Sequence, residues 1–383
     1  MGRKILGVIL SLALLLAVAA GIWKSTRGAA GSGDDASTVP ASVPAGAMAT
    51  TAQVPANCNT VSVLTGSAKF AYLQDARVIA RLQKENLCLQ LTKSGSFKDD
   101  LPKLSNFDAI WPAGSNAALD VQQGLKGQPG VTAQPVFSTP LVMASWSPLL
   151  PVLSSNGLLE TRDDVSNLLL DKTLPLMLEG KRWNQLQNNA VFPVNKGILV
   201  NTPDLRKSNT GMLYIALLAW VRNHGEVPAN SEAAVKLADE LAPLMTRQGF
   251  QEGTLAGPFE DYIGQGMGKA PLVLIYESQF VEAKRQGKLR DKHVLIYPRP
   301  SLVLKHIWVS RSNAGQRVGQ LLASDPDLQK IAAEYGFRTN DPKVFEAAMQ
   351  SIKLPAPELI ELADMPATHV LDAMQDAIVA RFE

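Results

Sequence analysis

The chain has 383 residues, of which 46% are hydrophobic and 19% charged, and its formal net charge is +2. That length and apolar content allow two domains with full cores and exclude a disordered chain. No run of Lys or Arg supplies the basic footprint of a nucleic-acid binder, so nucleic acid is excluded as a partner.

At the N-terminus Arg3 and Lys4 precede a continuous apolar run over residues 5–23, and Lys24 and Arg27 follow it. The pattern reads as an export signal with the positive end inside, which sends the rest of the chain outward. The run is close to the roughly 20 residues of a spanning helix, yet "LAVAA" offers small residues to a signal peptidase. Segment 1–24 is therefore expected to tether a periplasmic or extracytoplasmic protein to the inner membrane as an apolar N-terminal helix, with a cleaved signal peptide as the alternative. Residues 25–56 are Gly, Ala, Ser, Thr and Pro with hardly a large apolar side chain, and predict a flexible linker.

Export makes the two cysteines informative, because it takes them to an oxidising compartment. Cys58 stands ahead of the β-rich run "TVSVLTGS", and Cys88 lies in a second one, "NLCLQLTKSGS". Between them Phe70, Leu73, Val78, Ile79 and Leu82 recur at helical spacing. A βαβ unit with parallel neighbouring strands brings both cysteines to the same end, and predicts a Cys58–Cys88 disulfide. Two buried thiols are the alternative; no histidine lies near enough in sequence to suggest a metal site.

Alternation of strand and helix continues. "NFDAIWPAGS" predicts a short strand, "ALDVQQGL" a helix, and "VTAQPVFSTPLVMASW" a long extended run. Helices are expected to about residue 187, then a strand at "NKGILVNTP", a helix at "NTGMLYIALLAWVRNHG" and a buried strand at "APLVLIYES". "KHVLIYPRPSLVLKHIWVS" predicts one or two extended segments, and "AGQRVGQLLASDPDLQKIAAEYGF" two helices. This order argues for an α/β fold with parallel strands.

Within it, "DLRKSNTGMLYIALLAWV" places Ser208, Asn209, Thr210 and Gly211 where a buried helix begins. Unpaired N–H groups and the positive end of the peptide dipoles make such a start a cradle for an oxyanion or carboxylate, and glycine lets a ligand approach the backbone. The plainer reading is that Ser208 caps the helix. Similar chemistry recurs at Gly66-Ser67, Gly114-Ser115 and Ser138-Thr139, near strand ends, where open α/β sheets bind ligands.

In their order, "TGSAKF", "PVFSTPLVMAS", "PDLRKSNTGMLYIALLAW", "EDYIGQGMGKAPLVLIYESQF", "VLIYP" and "AAEYGFR" resemble the type II periplasmic (extracellular) solute-binding proteins, in particular the branch associated with von Willebrand A domain proteins. The resemblance covers about residues 61–338. It implies an α/β, two-lobed type II periplasmic-binding-protein fold with two crossover strands. Residues 57–140 plus 302–383 would form a discontinuous first lobe and 141–301 the second, with hinges near 139–141 and 300–302. It further implies ligand-binding roles for Ser67 and Ser115 of the first lobe, Ser138 and Thr139 at the crossover, and Ser208, Asn209, Thr210, Gly211, Tyr276 and Glu277 of the second. A carboxylate at Glu277 opposes a bare anion unless it is paired, and Arg206, Lys207 or Lys69 are the expected partners.

The function implied is binding of a small polar solute by hinge closure, with an inner-membrane transporter or a von Willebrand A domain protein as partner. The alternative is a membrane-tethered scaffold of an envelope or stress-resistance complex with a degenerate cleft. No cofactor and no metal site are expected. His224, His293, His306 and His369 are scattered, His306 reads as structural on an apolar strand, and no HExxH, Ser-x-x-Lys or G-x-S-x-G pattern supports an enzyme.

Overall fold

The computed structural model describes residues 58–94, 100–249, 251, 253 and 256–382; the expected membrane helix and linker lie outside them. No helix among the described residues is long and apolar enough to cross a membrane.

The described residues open with β1 (Asn59–Thr65), α1 (Ala76–Gln83) and β2 (Leu87–Lys93). Asp75 starts α1 by accepting a hydrogen bond from the Arg77 N–H, which satisfies one of the helix's unpaired donors. β1 and β2 pair in parallel with Thr60 opposite Cys88, and the Cys58–Cys88 disulfide closes across them with a Cα separation of 5.8 Å. β3 (Ala109–Trp111) joins the other side of β1, α2 (Ser115–Gly124) follows, and β4 (Thr132–Trp146) is a single 15-residue strand.

Where helices were expected, α3 (Leu150–Ser155) is followed by an antiparallel hairpin, β5 (Leu159–Arg162) and β6 (Val165–Leu169), before α4 (Leu170–Leu178). Its turn residues Asp163 and Asp164 both adopt positive φ, 49° and 61°, which aspartate tolerates better than most residues. The predicted strand "NKGILVNTP" is an extended segment with isolated bridges instead; Asn201 exchanges hydrogen bonds with Leu272 and Leu274. α5 (Asn209–Arg222) is buried on almost every side and α6 (Ser231–Thr246) packs against it, followed by α7 (Ala256–Gln265), β7 (Val273–Tyr276), α8 (Glu277–Arg285) and β8 (His293–Arg299). The chain ends with β9 (Leu302–Ser310), α9 (Asn313–Ser324), α10 (Pro326–Glu334), β10 (Arg338–Thr339), α11 (Pro342–Ser351) and α12 (Thr368–Val379).

The strands form one sheet in the order β2-β1-β3-β9-β4-β8-β6-β5, with β7 and β10 also paired to β4. Period-two alternation feeds a core on each face. In the first lobe Val61, Val63 and Trp111 face one cluster while Leu64 and Ile110 face another. In the second, Leu141 and Met143 join the large cluster around α5 and α6, whereas Val142 and Ala144 join Val273, Ile275 and Tyr297. This is the two-lobed α/β architecture with crossover strands β4 and β9. α12 departs from the expected grouping of residues 302–383 with the first lobe: Val370, Met374 and Ile378 enter the second-lobe core, and Arg381 pairs with Asp239 of α6 at 2.8 Å.

The disulfide ties residues 30 apart in sequence. On the chain-entropy account, its removal lowers the unfolding free energy by about 3–4 kcal/mol. Urea denaturation of the Cys58→Ser/Cys88→Ser variant should show this loss; a change under about 1 kcal/mol would mean that the bridge restrains little.

Candidate ligand-binding cleft

In open α/β sheets, ligands bind beyond the carboxyl ends of the parallel strands. β1 ends at Thr65 and β3 at Trp111, tied together by a Thr65 Oγ1 hydrogen bond to the Trp111 carbonyl at 3.2 Å. The turns that follow carry the first-lobe candidates. Ser67 opens a 3₁₀ turn, Ser67–Lys69, and Ser115 opens α2 after Gly114; both serines are exposed. Ser138 is half-buried on β4. Thr139 is wholly buried, and its Oγ1 accepts from the Ser278 N–H at 3.4 Å.

The second-lobe stretch is held by its own chain. Asp204 takes Arg206 in a two-pronged ion pair, with Nη2 to Oδ2 at 2.7 Å, and these hydrogen bonds hold its carboxyl below the usual carboxylate range. Leu205 accepts at its carbonyl from Gln375 of α12 at 2.7 Å, and Arg206 lies over the Phe382 ring. Ser208 stands at the start of α5 but its side chain makes no capping hydrogen bond. Asn209 is exposed. Thr210 is buried and its hydroxyl meets that of Tyr276 at 3.0 Å, so these two candidates are brought together. Burial pushes the Tyr276 phenol up.

Gly211 corrects the idea of an open backbone cradle. A Cβ at this position would lie 2.9 Å from the Pro203 carbonyl and 3.0 Å from Leu205 Cα, and the Gly211 N–H already donates to Ser208 at 3.2 Å. Glycine here makes room for the 203–205 loop, not for a ligand.

Glu277 is corrected more sharply. It is completely buried, and none of Arg206, Lys207 or Lys69 reaches it. Arg338 donates from Nε to Oε2 at 2.6 Å and from Nη2 to Oε1 at 2.8 Å, while the Tyr297 hydroxyl donates to Oε1 at 2.6 Å. Both carboxylate oxygens are consumed, so Glu277 is a structural anchor joining α8, β8 and β10. Its partner lies in the "YGFR" stretch, where nothing local distinguishes Arg338 from a surface charge.

Lys69 is not a surface charge either. It is 1% exposed, its Nζ lies 3.4 Å from Nδ1 of the fully buried His306, and it sits 5.5 Å from the Trp111 ring centre. Burial alone pushes its pKa down to about 7, and burial with the nearby Lys69 pushes the His306 imidazole well below its ordinary value. His306 Nε2 is buried without a hydrogen-bond partner among the described residues.

Two cavities lie away from this junction. One of about 270 Å³ is bounded by β4, β9 and α9, and one of about 210 Å³ by α1, α8 and α10; neither is lined by a candidate site residue. Among the described residues, no group of His, Cys, Asp and Glu is arranged to hold a metal ion.

No family model and no curated protein matches the chain. Solved structures do. A periplasmic thiamin binding protein superposes with a TM-score of 0.54 at 14% identity, over 85% of this chain and 97% of that one. An ABC transporter substrate-binding protein from Bradyrhizobium japonicum USDA 110 gives 0.52 at 13%, over 85% and 99%. An ABC transporter structure from Clostridium perfringens ATCC 13124 gives 0.51 at 11%, over 84% and 98%. At such identities the likeness is one of fold, that of the type II periplasmic binding proteins; nothing in it points to the branch associated with von Willebrand A domain proteins.

Breaking a buried pair leaves the other charge uncompensated, so Glu277→Gln should destabilise the protein by about 3–5 kcal/mol in urea titrations. Joint replacement by Glu277→Leu and Arg338→Met should recover most of it. A single variant within about 1 kcal/mol of the parent contradicts an anchoring role.

For Lys69 the sign follows from its depressed folded pKa. Between about pH 7 and the ordinary value of 10.5 the unfolded chain binds the extra proton, so stability from this group rises with pH across that window. Relative to the parent, Lys69→Met is therefore most favourable at or below pH 7, and the difference shrinks toward pH 10 by several kcal/mol in order of magnitude. A pH-independent difference in unfolding free energy rejects the depressed value.

Proposed function

We propose that the chain is the extracytoplasmic solute-binding component of an ABC-type transport system, and holds a small polar solute between its lobes without chemical change. The observation that carries this reading is the junction itself. β4 passes through both lobes as one strand, with Thr139 buried at the passage, and the hydroxyls of Thr210 and Tyr276 meet on the second-lobe side of it. Tyr276 is paired with Leu141 of β4, which fixes its height on that strand. Ser67, Ser115 and Ser138 on the first-lobe side, with Ser208, Asn209, Thr210 and Tyr276 opposite, supply hydroxyl and amide groups suited to a polar ligand. The likeness to the thiamin binding protein and the Bradyrhizobium substrate-binding protein supports the same class of function. Lobe closure about 139–141 and 300–302 is the motion this reading requires.

A second reading, an interaction scaffold with a degenerate cleft, is favoured by one feature: Glu277 and Gly211 are both consumed by contacts within the chain.

Thermal-shift measurements on the full chain in mild detergent separate the two. Sulfate, phosphate, amino acids, polyamines, thiamin and sugars form the panel, and solute binding requires that at least one raises the melting temperature. Replacing Ser208, Asn209 and Thr210 together by alanine should weaken that binding by about one to three powers of ten, at about 0.5–1.5 kcal/mol per neutral hydrogen bond. Absence of any shift from the whole panel favours the scaffold.

A further inference from the structure

Two basic side chains are buried together at the cleft end of the first lobe with no acid beside them among the described residues. Lys69 is 1% and His306 0% exposed, and they face each other across 3.4 Å. Buried charges in proteins are normally paired, because an isolated ion loses its hydration. The chain otherwise observes this rule, as Glu277 with Arg338 illustrates.

The hydrogen-bond chemistry specifies what is missing. An ammonium has three donors and no acceptor, and only one of the three is directed at His306 Nδ1. With Nδ1 accepting, the ring proton belongs on Nε2, which makes that atom a second buried donor, and it has no partner among the described residues. Among the described residues Nε2 lacks an acceptor, the ammonium lacks acceptors for its other two donors, and it also lacks a negative charge.

Their position matches the candidate cleft. Lys69 closes the turn that Ser67 opens. His306 bridges Ala113, two residues before Ser115, and pairs across β4 with Phe137, next to Ser138 and Thr139. Ser67, Ser115, Ser138 and Thr139 therefore each stand within two residues of one that belongs to, or is paired with, this couple.

Among the described residues, no other ionisable group supplies the compensation. Lys305 alternates to the exposed face of β9, Arg338 and Glu277 neutralise each other at β10 and α8, and Asp75 and Asp325 act on the Tyr72 phenol. Trp111, packed on the ammonium from β3, offers only its ring face.

We propose that Lys69, with His306 behind it, is the anion-recognition element of the cleft, so that the transported solute carries an acidic oxygen group, a carboxylate or an inorganic oxyanion. This rests on the solute-binding reading above. Binding brings the missing acceptor and charge to the ammonium, and draws a proton onto Lys69 whenever the free protein holds that amine neutral. Burial pushes the free amine down to about 7, so the uptake falls in the neutral range.

The test uses the full chain in detergent with sulfate, phosphate and glutamate as anionic probes, and thiamin, putrescine and glucose as cationic and neutral ones. Stabilisation is expected from an anion and from none of the others. Sulfate is the preferred probe for calorimetry because its own charge is constant between about pH 6 and about pH 9. Since only the protonated amine is competent, its dissociation constant should be about a hundredfold weaker at the upper pH than at the lower. Lys69→Met should abolish the anion response; if that variant does not fold, the pH series on the unaltered chain decides. Stabilisation by thiamin, putrescine or glucose with no anion response overturns this proposal and leaves the solute-binding reading intact, as does anion binding that is flat with pH or survives Lys69→Met. If no probe of either kind binds, the solute-binding reading falls and this proposal with it.

Discussion

The continuity of β4 is the constraint on which the rest of the structure depends. A buried strand must satisfy its N–H and C=O groups on both edges, and β4 does so by changing neighbours part-way along. On one edge β9 pairs with residues 132–141 and β8 with 143–146; on the other β10 pairs with 137–138 and β7 with 141–144. Pro140, which has no N–H to leave unpaired, falls in the gap between β10 and β7. Two separately covered sheets thus share one strand. Their junction is polar where Ser138 and Thr139 lie and apolar immediately after.

Around that junction several side chains and one C-terminal segment tie neighbouring elements together. Arg338 of β10 holds Glu277 at the start of α8 and donates to the Pro357 carbonyl at 2.8 Å. Gly336 lets the loop before β10 lie directly on α8, where a Cβ would come within 2.6 Å of Val281 Cβ and 2.7 Å of Ser278 Cα. Beyond α11 the extended segment exchanges backbone hydrogen bonds with Ser301 through Glu361 and Ala363. It then offers the Pro366 carbonyl to Asn116 of α2, and α12 lies across the second-lobe core. One C-terminal segment therefore touches both lobes and the connection at Ser301, so any relative motion of the lobes is coupled to it.

The buried Lys69–His306 couple is the least economical feature for folding alone, since an apolar side chain of similar length would fill the space without a desolvation cost. Sites that bind or react commonly carry such local destabilisation, and a polar couple at the end of β1 and β3 fits that pattern. Glu277 and Lys69 are thus opposite cases of a buried ionisable group. One carries a buried charge with both carboxylate oxygens hydrogen-bonded; the other carries donors that, apart from the contact with His306, nothing among the described residues answers.

Much of the architecture was legible in the sequence because it depends on local period and on turn chemistry. The β1-α1-β2 unit, the disulfide across it, the long strand through "VFSTPLVMASW" and the helix after Ser208 all follow from alternation and helical spacing within short windows. The hairpin at 159–169 leaves little periodic signal because its strands are four and five residues long, and the extended run to Asn201 carries a strand-like sequence although its residues pair only at single points. The site was less legible. Ser67, Ser115, Ser138, Thr139, Thr210 and Tyr276 are candidates by residue type, by their place at element ends and by the family resemblance, but whether a hydroxyl is exposed, buried or bonded to another depends on distant packing. Arg338 answers Glu277 across 61 residues, and His306 meets Lys69 across 237. Sequence determines which charges exist and which faces are apolar. Only the tertiary structure decides which charges are desolvated and what opposes them, because desolvation depends on every element packed around a group.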